Sequence, residues 1–179
     1  MPVASVQTLK IGKQPDDGRV FDFVIALKAG DKDVVLGDTK EGTCGIRIAE
    51  SMRLKQPKGK KSDGHIVNSE GHKNGDAWGK KGTWVDMYGP IDGKTYGIAF
   101  IDHPKNHAYP TRWHARDYGL FAANPFCGHE MDKNIPKGAA SYTLKAGDTL
   151  TLRYRIYLHK GEPDKAKIAE QQASFGTAN

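Results

Sequence analysis

The sequence lacks any apolar run near the roughly 20 residues that a membrane-spanning helix needs. Its N-terminus, MPVASVQTLKIGK, also lacks the charged-then-apolar order of a signal peptide. These absences exclude an integral membrane protein built from helices. We therefore expect a soluble chain with no membrane partner, located in the cytoplasm, or in the periplasm or outside the cell after processing.

Cysteine is scarce. The only two, Cys44 and Cys127, have neither CxxC nor zinc-like spacing. Two isolated cysteines are more typical of buried thiols than of a bridge or a metal site. We predict no cofactor, and no residue is assigned as a metal ligand.

Aromatic residues are missing from the most basic stretch of a chain whose formal net charge is +6. The excess positive charge is concentrated in Arg53, Lys55, Lys58, Lys60 and Lys61, among Pro and Gly. Nucleic-acid binding usually combines a basic face with a known motif or with stacking residues. A solvated loop explains the stretch better, so no nucleic-acid partner is expected.

The 179 residues are enough for one domain with a core, and the 21 glycines suit a turn-rich β protein. Alternating or β-rich segments predict strands at 3–11, 19–28, 34–36, 44–49, 65–68, 83–88, 94–101 and 149–159. Turn signals lie at 14–18 and 89–93, a long loop excursion at 53–82, and a disordered-looking turn at 129–138. One helix is predicted at 162–175, with Pro163 in its first turn. We expect a single all-β domain over 1–179, an antiparallel β-sandwich with one C-terminal helix.

The stretch 100–126 concentrates titratable and aromatic side chains more densely than any other part of the chain. His103, His107 and His114 fall within twelve residues. Three prolines, at 104, 110 and 125, exclude a continuous helix. The stretch is therefore predicted to form loops between short strands, which is where a scaffold usually presents its binding groups.

Two long motifs carry a family resemblance. The run GTWVDMYGPIDGKTYGIAFIDHPKNHAYPTRWHARDYGLFAANPF, and DVVLGDTKEGTCGIRIAE upstream of it, resemble signatures of a bacterial family labelled "methane oxygenase PmoA". The resemblance covers residues 19–161. It implies a β-sandwich akin to the galactose mutarotase-like supersandwiches of sugar-handling proteins.

The resemblance also implies an incomplete sheet. Members of that family are usually longer at the N-terminus, so this chain looks like the C-terminal part of the family fold. An exposed sheet edge is a ready pairing surface, which suggests a homo-oligomer. The family label itself is a poor guide to chemistry, because a true particulate methane monooxygenase subunit is a multi-helix membrane protein.

A sugar or keto-sugar ligand needs an aromatic platform, donors for its hydroxyls and a proton donor–acceptor pair. For the proton transfer we predict His114 with Asp102 or Glu41, because the unperturbed pKa of histidine lies near neutrality. Trp113 is the first choice of platform, with Trp84 and Trp78 as alternatives. The residues predicted to bind the substrate are Lys40, Arg47, His103, Trp113, Arg116 and Asn124.

Structural explanations compete with each of these roles. His114 could be a satisfied loop histidine, Trp113 and Trp84 could be core residues, and Asp102 could cap a turn. Lys40 and Glu41 could form an ordinary charged turn. The four histidines outside the central stretch are interpreted as surface residues: His65, His72, His129 and His159.

Three functions follow from these residues. The first is acid/base chemistry on a carbohydrate, of epimerase, lyase or hydrolase type, and the second is carbohydrate binding without turnover. The third is a metal-dependent oxygenase, as the family label suggests, in which His103 and His107 would be joined by His114 or Asp117.

Overall fold

The computed structural model of the chain describes residues 2–12, 18–57, 60 and 62–177. Most of the turn predicted at 14–18, and Lys58 and Lys61 of the basic stretch, lie outside these residues. The described strands are β1 (Val3–Ile11), β2 (Gly18–Ala29), β3 (Val34–Leu36), β4 (Cys44–Arg47), β5 (His65–Asn68), β6 (Trp84–Ile91), β7 (Lys94–Asp102), β8 (Arg112–Ala115), β9 (Leu120–Asn124), β10 (Tyr142–Leu144) and β11 (Thr149–Lys160), followed by the helix α1 (Lys165–Gly176).

The strands form two antiparallel layers. A large sheet has the strand order β1-β2-β11-β7-β6-β5, and a small sheet has the order β4-β9-β8, beside the pair β10-β3. Phe100 of the large sheet contacts Trp113 and Phe121 of the small sheet, at ring distances of 5.3 and 5.7 Å. The predicted antiparallel β-sandwich with one C-terminal helix is confirmed.

Strand β11 explains why the helix is needed. Leu152, Tyr154 and Ile156 point into the core between the layers, as the alternation predicts. Tyr157, on the opposite face, is buried as well, because Ile168 and Phe175 of α1 pack against that side of the large sheet. The large sheet is therefore covered on both faces over part of its area.

The helix begins later than predicted. It starts at Lys165, since the Asp164 carboxylate accepts a hydrogen bond from the backbone N–H of Lys167 (3.4 Å) and so occupies the N-cap position. Pro163 precedes the cap instead of lying in the first turn.

The predicted turn at 89–93 is shorter than expected. Strand β6 continues to Ile91, and β7 begins at Lys94. Asp92 and Gly93 alone make the turn, with φ angles of 48° and 75°. Positive φ at both central residues is the geometry of a tight two-residue hairpin, which lets Pro90 stay in the strand.

The turn predicted as disordered at 129–138 is held by one distant carboxylate. Asp38 accepts backbone hydrogen bonds from Gly128 (2.8 Å), Gly138 (3.1 Å) and Ala140 (3.4 Å). The loop is ordered because its amide groups converge on a residue about 90 to 100 positions away.

The excursion at 53–82 contains the predicted strand β5 and ends alongside β8. Gly79 donates its backbone N–H to the Trp113 carbonyl (2.8 Å), and Trp113 donates to the Lys80 carbonyl (3.1 Å). This pairing places Trp78 next to β8.

Within the described residues, no helix combines the length and the apolar character that crossing a bilayer requires.

Candidate functional site

Neighbouring side chains on β8 point to opposite sides of the small sheet. Trp113 is fully buried in the core, where its Nε1 donates to the Gly82 carbonyl (2.9 Å). His114 therefore points to the other side, away from the large sheet. We call that side the outer face, defined by His114, Asn124, Arg47 and the residues around them.

The floor of the outer face is made of small residues. In the register of the small sheet, Ala122 lies between His114 and Gly45. A Cβ atom on Gly45 would lie 3.0 Å from the Cβ of Ala122, and one on Gly42 would overlap it. The loop before β4 therefore passes close over the floor, and this brings Lys40 and Glu41 to the face.

Aromatic and cationic side chains border the floor. Trp78 meets His114 edge-on, with 6.4 Å between ring centroids. The Arg116 guanidinium lies 5.8 Å from the Trp78 ring and 5.4 Å from the Tyr118 ring, and Arg47 lies 5.8 Å from Tyr118. Neither arginine has a salt bridge to another described residue.

The His114 side chain is buried but makes no hydrogen bond to a described residue. It is 6% exposed, and its Nδ1 has no partner among the described residues. The buried Nε1 of Trp78 also lacks one. Burial lowers the pKa of His114, the charges of Arg116 and Lys40 lower it further, and Glu41 opposes them. The imidazole is therefore neutral at neutral pH, and both residues of the predicted Lys40–Glu41 pair lie within electrostatic reach of it.

A cavity of about 250 Å³ lies at the other end of the face, beside Asn124 and Arg112. Asn124 is 1% exposed, and its Nδ2 donates to the Thr39 carbonyl (3.0 Å). Its Oδ1 has no hydrogen-bond partner in the described part of the chain. Arg112 is held in place by the Gly79 carbonyl (2.9 Å) and Asp132 (3.2 Å). Arg112, with its guanidinium fixed, and Asn124, with its buried acceptor, thus both line the cavity.

Asp102 does not lie with His114. It is fully buried and accepts hydrogen bonds from Asn106 Nδ2 (2.8 Å) and from the Thr111 backbone (2.9 Å). Burial raises its pKa to about 6. Its bonds organise the turn between β7 and β8, as the turn-capping interpretation suggests.

His103 and Trp84 are also placed elsewhere. His103 packs edge-on against Phe175 of α1 at 4.7 Å, and its Nδ1 accepts from the Lys105 backbone (3.0 Å). Trp84 lies under the same helix. Of the predicted site residues, the structure brings six to the outer face and places Asp102, His103 and Trp113 away from it; the six are Lys40, Glu41, Arg47, His114, Arg116 and Asn124.

The three histidines of the central stretch do not converge. His107 packs against Phe126 and Tyr142, whereas His103 and His114 lie under α1 and on the outer face. No group of three or more His, Cys, Asp or Glu side chains among the described residues is arranged to hold a metal ion. The oxygenase alternative stays a prediction.

The expectation of a surface histidine is wrong for His159. It is 6% exposed, and its Nε2 lies 2.7 Å from Oδ2 of the buried Asp86. A signal for the buried pair of His159 and Asp86 was present in the sequence, because Asp86 interrupts the apolar run of β6 between Val85 and Met87.

Sequence reasoning also missed Tyr118, which follows Arg116 by two residues.

A larger cavity, of about 610 Å³, lies at the open end of the core. Its lining is largely apolar, with Met52, Tyr96 and Leu158, and it includes none of the predicted site residues. It has no unpaired buried acceptor or donor like those of the outer face. The unpaired buried polar atoms therefore favour the outer face, and not the larger cavity, as the candidate site.

The sequence matches a family described as "Family of unknown function (DUF6807)" over residues 4–173. Neither the curated proteins nor the solved structures contain a match to the chain. The family match does not link the chain to the PmoA-labelled family, so that resemblance stays a prediction.

Proposed function

The chain belongs to DUF6807, and from the geometry of the outer face we propose that it binds a carbohydrate or sugar derivative there, with His114 exchanging a proton with the ligand. The supporting observation is that three polar atoms buried at the outer face have no hydrogen-bond partner among the described residues: His114 Nδ1, Trp78 Nε1 and Asn124 Oδ1. Nearly all buried polar groups in proteins are hydrogen-bonded, and leaving one unpaired costs about 1–3 kcal/mol.

A polyhydroxylated ligand suits this set. Each hydroxyl can donate one hydrogen bond and accept two, so it can serve the Trp78 N–H, the Asn124 oxygen and either tautomer of His114. Trp78 and Tyr118 supply the ring edges and faces that sugars pack against. An apolar ligand would leave all three groups unpaired.

The protonation state of His114 supports a base. Its lowered pKa keeps the ring neutral, so it can accept a proton. Glu41 is the carboxylate whose charge acts on His114, and it takes the acidic role that the sequence assigned to Asp102 or Glu41. One imidazole and one carboxylate suit proton removal beside a carbonyl, as in epimerases and lyases, better than glycoside hydrolysis, which commonly uses two carboxylates.

Binding without turnover is the second candidate. It is favoured by the separation of the two groups, since Glu41 makes no hydrogen bond to His114 in the described structure. Both candidates use the same face, and they differ only in whether His114 reacts.

Replacing His114 by Ala separates the two candidates. Ligand binding is measured by thermal stabilisation with monosaccharides, keto-sugars and short oligosaccharides, because a ligand at 100 times its Kd adds about 2.7 kcal/mol. For a binding ligand that also reacts, we expect His114→Ala to lower turnover by about 100-fold or more while Kd changes by less than about tenfold.

His65→Ala is the matched control, since His65 is an exposed histidine on β5 of the large sheet. It should change neither binding nor turnover. Unchanged turnover in His114→Ala would remove His114 from the mechanism and leave the binding candidate. If no carbohydrate of the panel stabilised the protein, both candidates would fail.

A further inference from the structure

We propose that the ligand of the outer face is an acidic sugar, whose carboxylate is held at Arg116 and Arg47 while its hydroxylated end reaches the Asn124 cavity. This inference rests on the proposed carbohydrate function and specifies its ligand class.

The charges of the face are unbalanced. Lys40, Arg47 and Arg116 are cationic. Glu41 is the acidic side chain whose charge acts on His114 together with the charges of Lys40 and Arg116. None of the three cations forms a salt bridge with a described residue. By contrast, Arg112, which lines the cavity at the other end of the face, is paired with Asp132 at 3.2 Å. Positive charge that no described carboxylate neutralises in a salt bridge therefore lies at the end of the face with Arg47 and Arg116, and not at the end with Arg112.

The two arginines converge on one ring. The guanidinium groups of Arg116 and Arg47 lie 5.4 and 5.8 Å from the centroid of Tyr118, although like charges repel each other. A planar guanidinium offers paired N–H donors that match the two oxygens of a carboxylate. A carboxylate placed near Tyr118 would relieve the repulsion and form charge-assisted hydrogen bonds.

The length of the face sets the size of the ligand. Arg112, at the cavity, and Arg116, at the cationic end, are four residues apart along β8 and just beyond it, a span of about 13 Å at the usual rise per residue. That span exceeds a single pyranose ring. A disaccharide or trisaccharide with a terminal acid group would contact the cavity, His114 and the arginines together.

The test compares acids with matched neutral esters. Di- and trisaccharides of galacturonate and of glucuronate, each with its methyl ester, are titrated into the protein by calorimetry at low and at high salt. We expect at least one acid to bind about 10- to 100-fold more tightly than its ester, because hydrogen bonds to a charged group are the stronger ones. High salt should reduce this preference.

Arg116→Gln should reduce the preference for the acid to within about threefold of the ester. Arg47→Gln should reduce the preference in the same way. Because Arg47 is exposed, this variant should fold, and it therefore serves as the test if Arg116→Gln fails to fold. Lys94→Gln, at the exposed start of β7, removes an equal charge far from the face and should preserve the preference.

The outcomes separate this inference from the function on which it rests. If neutral sugars bind in a way that depends on the outer face and the acids bind no more tightly than their esters, the acidic-sugar inference is overturned and carbohydrate binding stands. If neither acids, esters nor neutral sugars bind, both are overturned. A preference that survives both arginine substitutions would also overturn it.

Discussion

His114 and His159 are buried to the same extent, each 6% exposed, and have opposite surroundings. His159 lies 2.7 Å from the Asp86 carboxylate, on the side of the large sheet that α1 covers. The ring of His114 has no hydrogen bond to a described residue, on a face bordered by Arg116 and Trp78. Burial alone therefore does not distinguish these two histidines, whereas their hydrogen bonding does.

The structural pair depends on a glycine. His159 is on β11 and Asp86 is on β6, with β7 between them. Gly97 of β7 lies directly beside His159 in the sheet, and a Cβ atom there would overlap the His159 ring. Because Gly97 has no side chain, the ring can cross β7 and reach the carboxylate. In the described part of the chain, no comparable arrangement supplies a partner for His114.

The largest expected effect is on the structural histidine. His159→Ala leaves the Asp86 carboxylate buried without its partner, so we expect a loss of about 3–5 kcal/mol of unfolding free energy. His114→Ala, at equal burial, breaks no hydrogen bond to a described residue and should cost less, about 1 kcal/mol. Urea unfolding of both variants measures the difference, and equal losses would end the distinction between the two histidines.

A second effect, of about 2 kcal/mol between pH 4 and pH 7, concerns the pH dependence of stability. The pKa of Asp102 is about 6 in the folded chain and 3.8 as its ordinary value, so between these values the folded state binds more protons than the unfolded state. The contribution of the protonated Asp102 to the free energy of unfolding is therefore present at low pH and is lost as the pH rises through 6.

Asp102→Asn removes this titration. The stability of the natural chain relative to Asp102→Asn should therefore be greater at pH 4 than at pH 7, by about 2 kcal/mol. Other titrating groups contribute equally to both proteins and cancel. Unfolding curves at the two pH values test this, and a pH-independent difference would show that Asp102 ionises normally.

The smallest effect on stability is expected at a third region, the edge strand β1. One side of this strand carries backbone N–H and C=O groups that no described strand pairs with. Among the described residues it pairs only with β2, and Val6, Leu9 and Ile11 are 65%, 51% and 74% exposed. The homo-oligomer expected from the sequence stays a prediction, with β1 as its pairing edge. Val6→Lys should change unfolding free energy by less than about 0.5 kcal/mol but shift the mass measured by light scattering from oligomer to monomer.

Val35→Lys is the control, because Val35 is also 65% exposed and lies on β3, away from β1. It should leave the mass unchanged. A natural chain that remains monomeric at millimolar concentration would exclude the edge as a pairing surface.

Local patterns predicted eight of the eleven described strands, whereas β8 and β9 were expected only as short strands without bounds within 100–126 and β10 was not predicted. The alternation in β2 and β11, and the short β5 inside a long polar excursion, were read correctly because each depends on residues one or two positions apart. The turn at Asp92–Gly93 and the ordered loop after Cys127 were not. The first depends on a positive φ at Asp92, and the second on Asp38, far away in the sequence.

The candidate site was predicted in part. The central stretch pointed to His114, Arg116 and Asn124, and the upstream motif to Lys40, Glu41 and Arg47. Asp102, His103 and Trp113 come from the same stretch but belong to the core or to the turn, since successive strand residues point to opposite sides. The structure adds Tyr118 and selects Trp78 from the three tryptophans.

The sequence by itself determined where most of the strands lie and that His114 stands beside Trp113 in a stretch rich in polar and aromatic side chains, because these depend on neighbouring residues alone. Only the tertiary structure decided which of the two faces the core, which acid lies near His114, and that His159 is sealed against Asp86. Those outcomes depend on contacts between residues as many as 73 positions apart, which no local pattern encodes.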